Sequence, residues 1–281
     1  MENTNSLKMV NVRGWRMGFA NLFKVASGSF WHTKSWIVQT LLWMLLLNGT
    51  IASVLWTTTE ILDRSAYPDN LTSMQIIGKD PVGNALIIFF VFASLGLPVS
   101  AIIKGQDAIN SERKSGTAAW VLSKPVSRPA FILAKMFAGA LSVLITGVVI
   151  QGAFVYTQLS VWTGSLWPVA GFLGTMGLIF LNYMFYLTLT YMLGSFFTSQ
   201  GPVLGISLGL SLIGPSFVRG LPVINDITPW SFFLPISEDI PPGIAMFLNQ
   251  PTSLIVPIIG TLLMCVVFTA VAILRFRREE F

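Results

Sequence analysis

From residue 136 to residue 218 the chain carries no Asp, Glu, Lys, Arg or His. A run that long and that apolar cannot come from an ordinary soluble domain, where roughly a quarter of residues are charged. Here 10% are charged and 53% are hydrophobic. The chain therefore has lipid as its solvent. Six apolar segments are expected to cross it, at 36–57, 84–103, 131–157, 168–195, 202–218 and 252–274. Each can cover about 30 Å of hydrocarbon at about 1.5 Å of helix rise per residue, the fifth being the marginal one. The expected fold is an all-α polytopic membrane protein.

Of the 17 Lys and Arg, all but Arg64, Lys79 and Arg219 fall in the N-terminal arm, the second connection or the C-terminal tail. Glu60, Asp63, Asp69, Asp80, Asp226, Glu238 and Asp239 lie on the other side. By the positive-inside bias both termini and the second connection are expected in the cytoplasm, which requires an even number of spans. The first 35 residues have the spacing of an amphipathic helix rather than a signal peptide. Trp15, Phe19, Leu22, Phe23, Ala26 and Phe30 recur on one face while Arg13, Arg16, Asn21 and Lys24 lie mainly elsewhere. Residues 1–35 are expected to lie flat at the cytoplasmic interface.

The inventory of reactive groups excludes several functions. His32 and Cys265 are the single histidine and cysteine, so one chain can build no Cys/His metal cluster or disulfide. His32 is expected at the interface and Cys265 as a packing residue. Within the expected spans, Lys135 is the one residue among Asp, Glu, Lys, Arg and His. Ion-coupled carriers commonly rely on such residues at depth, and intramembrane proteases need them. There is no G-x-x-x-x-G-K-[ST] loop; Gly78-Lys79 is followed by Asp80. Any energy from ATP must enter through a separate polypeptide, and this chain is not expected to be an enzyme or to hold a cofactor, a metal or nucleic acid.

The segment 104–130 is the polar interval between the second and third spans. Residues 107–122 can form a short helix, with Pro125 and Pro129 as stops and Ser127 as cap of the next span. By composition alone a solvated loop accounts for it equally. Glu112, Gly116-Thr117, Leu122-Ser123, Pro125-Val126-Ser127-Arg128 and Lys135 follow one another here, and Phe276-Arg277-Arg278-Glu279 ends the last span. This pattern resembles the membrane subunits of type-2 ABC exporters, read as E-x-x-x-G-T, L-S-x-P-V-S-R and a following Lys. Lys114 and Ala119 stand where that family often has acidic residues.

The resemblance implies that 104–130 is a coupling segment docked on a separate ABC ATPase, which binds ATP and Mg. Glu112 and Arg113 would make polar contacts, Gly116 beside Thr117 would permit close approach, and Ser123, Pro125, Ser127 and Arg128 would fix the return into the third span. It also implies two permease subunits, as a homodimer, with two ATPases, in the plasma membrane of a bacterium or archaeon. Gly201, Gly205 and Gly209 repeat every four residues in the fifth span, and Gly171, Gly174 and Gly177 recur in the fourth. Such faces suit close helix contact within a subunit or between subunits. In that family the segment 219–251 holds short re-entrant helices, with Trp230, Phe232 and Phe233 as anchors at the outer interface.

The polar residues at depth are uncharged: Gln39, Asn48, Gln151, Asn182, Tyr183, Tyr186 and Thr190, of which Asn182, Tyr186 and Thr190 share a helical face. A pathway of that kind suits an amphiphile or hydrophobic peptide better than a bare ion. The alternative function is a non-transporting membrane scaffold that relays ATPase motion to an extracytoplasmic partner.

Overall fold

The computed structural model describes residues 14, 16–57, 80–115, 126–217, 222–233 and 240–278. The described elements are helical throughout. Helix α1 (Phe19–Trp31) leads through a short turn into α2 (Ser35–Trp43), a π-helical stretch (Met44–Asn48) and α3 (Gly49–Thr57). Next come α4 (Pro81–Lys114), then α5 (Arg128–Val143), which continues through a second π-helical stretch (Leu144–Val149) into α6 (Ile150–Thr163). Helices α7 (Val169–Phe196) and α8 (Gln200–Phe217) follow. The short α9 (Pro222–Ile227), a 3-10 turn (Pro229–Ser231) and α10 (Pro242–Phe247) lead to α11 (Ile255–Arg277).

Five helices among the described residues are long and apolar enough to cross a membrane: Ser35–Trp56, Pro81–Glu112, Arg128–Thr163, Val169–Phe196 and Ile255–Arg277. The expected segment 202–218 falls on α8, whose 18 residues reach only about 27 Å. Helix α7 is the axis of the bundle. The chain buries 72% of its most apolar stretch, against 22% for the first and last spans, whose outer faces are left for lipid.

Side-chain pairs fix the helix directions. Arg128 meets Arg277, Phe131 stacks on Phe276 at 5.6 Å, and Thr269 donates to Met136 Sδ at 3.7 Å, so α5 and α11 are antiparallel. Phe185 packs on Phe268 at 5.5 Å, and the Arg275 guanidinium lies 5.8 Å from the Phe196 ring, so α7 and α11 run the same way. Between these parallel helices α8 leads back from the end of α7.

Two expectations need correction. The helix of the second span does not stop at residue 103. Helix α4 continues unbroken to Lys114, with Gln106, Ile109 and Asn110 buried, so Lys104 and Glu112 belong to the same rod as the span. Nothing in 104–114 breaks a helix; only the hydropathy falls there. The rest of the expected 107–122 helix, residues 116–122, lies outside the described residues. Trp230, Phe232 and Phe233 do not face outward as anchors either, being 7%, 0% and 1% exposed.

The π-helical stretches explain two of the buried polar residues. A π turn inserts one residue and leaves carbonyls without their usual partners. In lipid such groups need an internal donor. Gln151 Nε2 donates to Thr146 O at 2.8 Å and to Thr40 O at 3.1 Å, while its Oε1 accepts from Asn48 Nδ2 at 2.7 Å. Gln158 Nε2 closes the set on Asn48 Oδ1 at 3.0 Å. The first and third spans are joined by amides at depth.

Candidate functional site

The entry into the third span begins with a cap. Ser127 is extended (φ −79°, ψ 141°), its Oγ accepts from Ala130 N at 3.2 Å, and proline occupies the first turn, where a missing N–H costs nothing. Ser127 also uses its backbone N–H, which donates to Met17 O at 3.0 Å and so draws in the chain before α1. Gly18 makes this approach possible. Its φ is +82°, and a Cβ there would sit 2.8 Å from Val126 Cγ2. One residue on, Arg128 Nη1 donates to Arg277 O at 2.6 Å. That carbonyl belongs to the last turn of α11, where the helix dipole favours a cation.

Above the cap, Lys135 Nζ donates to Glu112 Oε1 at 2.5 Å and to Ala108 O at 3.1 Å, and lies 5.0 Å from the centre of the Phe131 ring. The Lys135 and Glu112 side chains are 19% and 23% exposed, so the pair is only partly screened by solvent. Removing one partner leaves a charge half-buried, at a cost of about 2 kcal/mol. The described part of the Glu112-to-Lys135 pattern thus binds this chain to itself. It clasps the second span to the third, the third to the last, and the start of the third to the segment before α1. Gly116, Thr117, Ser123, Pro125 and the side chain of Arg113 lie outside the described residues.

The polar face of α7 is packed. Asn182 Nδ2 donates to Ser94 O at 3.0 Å, Tyr186 OH accepts from Trp230 Nε1 at 2.7 Å, and Thr190 Oγ1 donates to Tyr186 O at 2.6 Å. Asn182, Tyr186, Ser94, Ser211 and Trp230 surround a cavity of about 10 Å³, room for about one water. Trp230 is admitted by Gly214, where a Cβ would lie 2.2 Å from the indole. The two glycine series differ. Gly171 and Gly174 are filled by Met246, whereas Gly177 and all of Gly201, Gly205 and Gly209 have no atom of another described element within 4 Å of an added Cβ.

Chemically, the arrangement can transmit force and exclude water, but it offers no reacting group. Among the described residues no three His, Cys, Asp or Glu side chains converge as a metal site. Met17, Gly18, Lys104 and Gly214 take parts that the sequence reading missed. A glycine directly before an amphipathic helix was the available signal for Gly18. A family model described as ABC-2 family transporter protein matches residues 2–281. No curated protein matches the chain.

Proposed function

The chain belongs to the ABC-2 transporter family, matched over residues 2–281, and from that premise we propose that it is the permease subunit of an ATP-driven exporter of an amphiphilic or hydrophobic substrate. It is a multi-pass membrane component without an ATP-binding motif. Membership implies an ATPase partner. The finer reading is ours: two ATPases and two copies of this chain, in the plasma membrane of a bacterium or archaeon, with both termini cytoplasmic.

The clasp carries this reading. Glu112–Lys135, Ser127–Met17 and Arg128–Arg277 connect the segment 104–130 to three other parts of the bundle. A push on that segment, which we read as the coupling element, would therefore reach the second, third and last spans together. Arg113, Gly116, Thr117, Ser123 and Pro125 are proposed to contact the ATPase, with Glu112, Ser127 and Arg128 transmitting. The parallel course of α7 and α11 supports α8 as a sixth crossing. The depth of Trp230 supports a re-entrant segment after it, closing the path beside Asn182, Tyr186 and Thr190. The open glycine face of α8 is where the second copy is proposed to pack.

Affinity purification in mild detergent tests the reading. Wild-type protein is expected to retain a P-loop ATPase that Gly116→Trp loses while staying monodisperse. Reconstituted with that ATPase, it is expected to move a fluorescent amphiphile on ATP addition. Stable protein with no ATPase bound would overturn the proposal. ATP turnover stimulated without solute movement would favour the relay scaffold.

A further inference from the structure

Beneath α1 lies a cavity of about 570 Å³, a size typical of small-molecule sites, which run about 300–1,000 Å³. Leu22, Val25, Ala26, Ser29 and Phe30 of α1 form one wall. Successive turns of α4 at Lys104, Ala108 and Glu112 form another, and α5 and Tyr191 complete the enclosure. The first wall is mostly apolar and open outward, with Val25 71% exposed. The second carries charge.

Lys104 is the distinctive group. Its Nζ donates to Gln39 Oε1 at 2.8 Å and Ser142 Oγ at 3.0 Å and lies 4.7 Å from the centre of the Phe30 ring. All three partners are neutral. Among the described residues the one ion pair is Glu112–Lys135, so no described carboxylate neutralises Lys104. The cavity therefore has two lysines and one glutamate on its walls, a net positive charge enclosed beside apolar surface. Neutral acceptors orient an ammonium but do not cancel its charge in a low-dielectric setting, where a counter-ion is favoured.

We infer that this cavity binds one anionic phospholipid of the surrounding bilayer, with its phosphate against Lys104 and an acyl chain along Leu22, Val25 and Ala26. A soluble anion would leave the α1 wall without a partner. A zwitterionic lipid would leave the site's net charge unmatched. The inference uses the chain's position in a membrane and is independent of which substrate the complex moves.

Native mass spectrometry of the detergent-purified chain tests it, with phosphatidylglycerol, phosphatidylcholine and glycerol phosphate as probes. One phosphatidylglycerol is expected to bind at least about tenfold more tightly than phosphatidylcholine, a difference of about 1.4 kcal/mol. Lys104→Met is expected to abolish that preference and Lys104→Arg to keep it. Ser29→Trp fills the cavity without touching the lysine and is expected to lose the lipid altogether. Unchanged binding in a folded Lys104→Met variant overturns the inference, and so does glycerol phosphate competing as well as the lipid. If Lys104→Met does not fold, Ser29→Trp decides: retention of the lipid overturns the inference and loss supports it. The readout needs no ATPase, so failure here leaves the transport proposal intact, and failure of transport leaves this one intact.

Discussion

The two ends of the bundle are closed by different physics. At the end holding the cap of the third span, the links are polar and join distant parts of the chain: Glu112 to Lys135, Ser127 to Met17, Arg128 to Arg277. Toward the other end the closure is aromatic. Phe90 stacks on Phe233 at 5.2 Å and meets Phe247 at 5.8 Å, Phe172 and Trp167 pack on Phe247, and Trp230 fills the gap at Gly214. Water and a partner's side chains can replace polar links one at a time. Packed rings have no such substitute and must open as a unit. In the proposed permease the clasp would suit gradual transmission and the aromatic closure an all-or-none seal.

Substitutions at the two ends should separate these behaviours. The largest effect is expected from Gly214→Ala, because a Cβ 2.2 Å from the Trp230 ring has to displace a buried indole. Overpacking of that kind costs about 3 kcal/mol, read as a fall in melting temperature in detergent with a red shift of tryptophan emission. Glu112→Ala comes next, at about 2 kcal/mol for the half-buried Lys135 it leaves behind. The double variant with Lys135→Met should recover part of that loss, and a double-mutant cycle measures the coupling. High salt should shrink this cycle but leave the Gly214→Ala cost unchanged, since only one of them is electrostatic. Gly18→Ala is expected to cost about 1–2 kcal/mol, from positive φ plus the contact with Val126. Its readout is faster proteolysis ahead of α1. Smallest is Tyr186→Phe, which keeps both rings and drops the bond from Trp230. A loss of about 0.6 kcal/mol is expected, as for other hydrogen bonds between membrane helices. A cost well above that would mean the hydrogen bond, rather than the ring, holds the seal.

The spans were legible because hydropathy reports what lipid demands. The expected segments 36–57, 131–157, 168–195 and 252–274 overlap long helices of the structure. The cap was legible too, since Ser127 followed by Pro129 is a local signal and the geometry is local. The end of α4 was not. Hydropathy drops at Lys104, but a helix ends where its backbone loses partners, and buried Gln106, Ile109 and Asn110 keep it going. The burial of Trp230, Phe232 and Phe233 was not legible because an outward-facing belt and a buried cluster have the same composition. What distinguishes them is Gly214, a residue in another helix that makes room for the indole. Long-range partners such as Met17 for Ser127 leave no mark on the local pattern at all.

The π-helical stretches at Met44–Asn48 and Leu144–Val149 have an angular consequence. Each carries one residue more than a regular turn, so side chains beyond it are rotated by about 100° relative to an uninterrupted α-helix. The third span can thus turn Lys135 and Ser142 toward α4 and the lipid cavity at one end, and Gln151 and Gln158 toward the first span at the other. A straight helix of the same sequence would aim one of those sets into lipid. Deleting the single residue Gly147 would remove the offset and misalign half of the span, although no hydrophobic residue would have been lost.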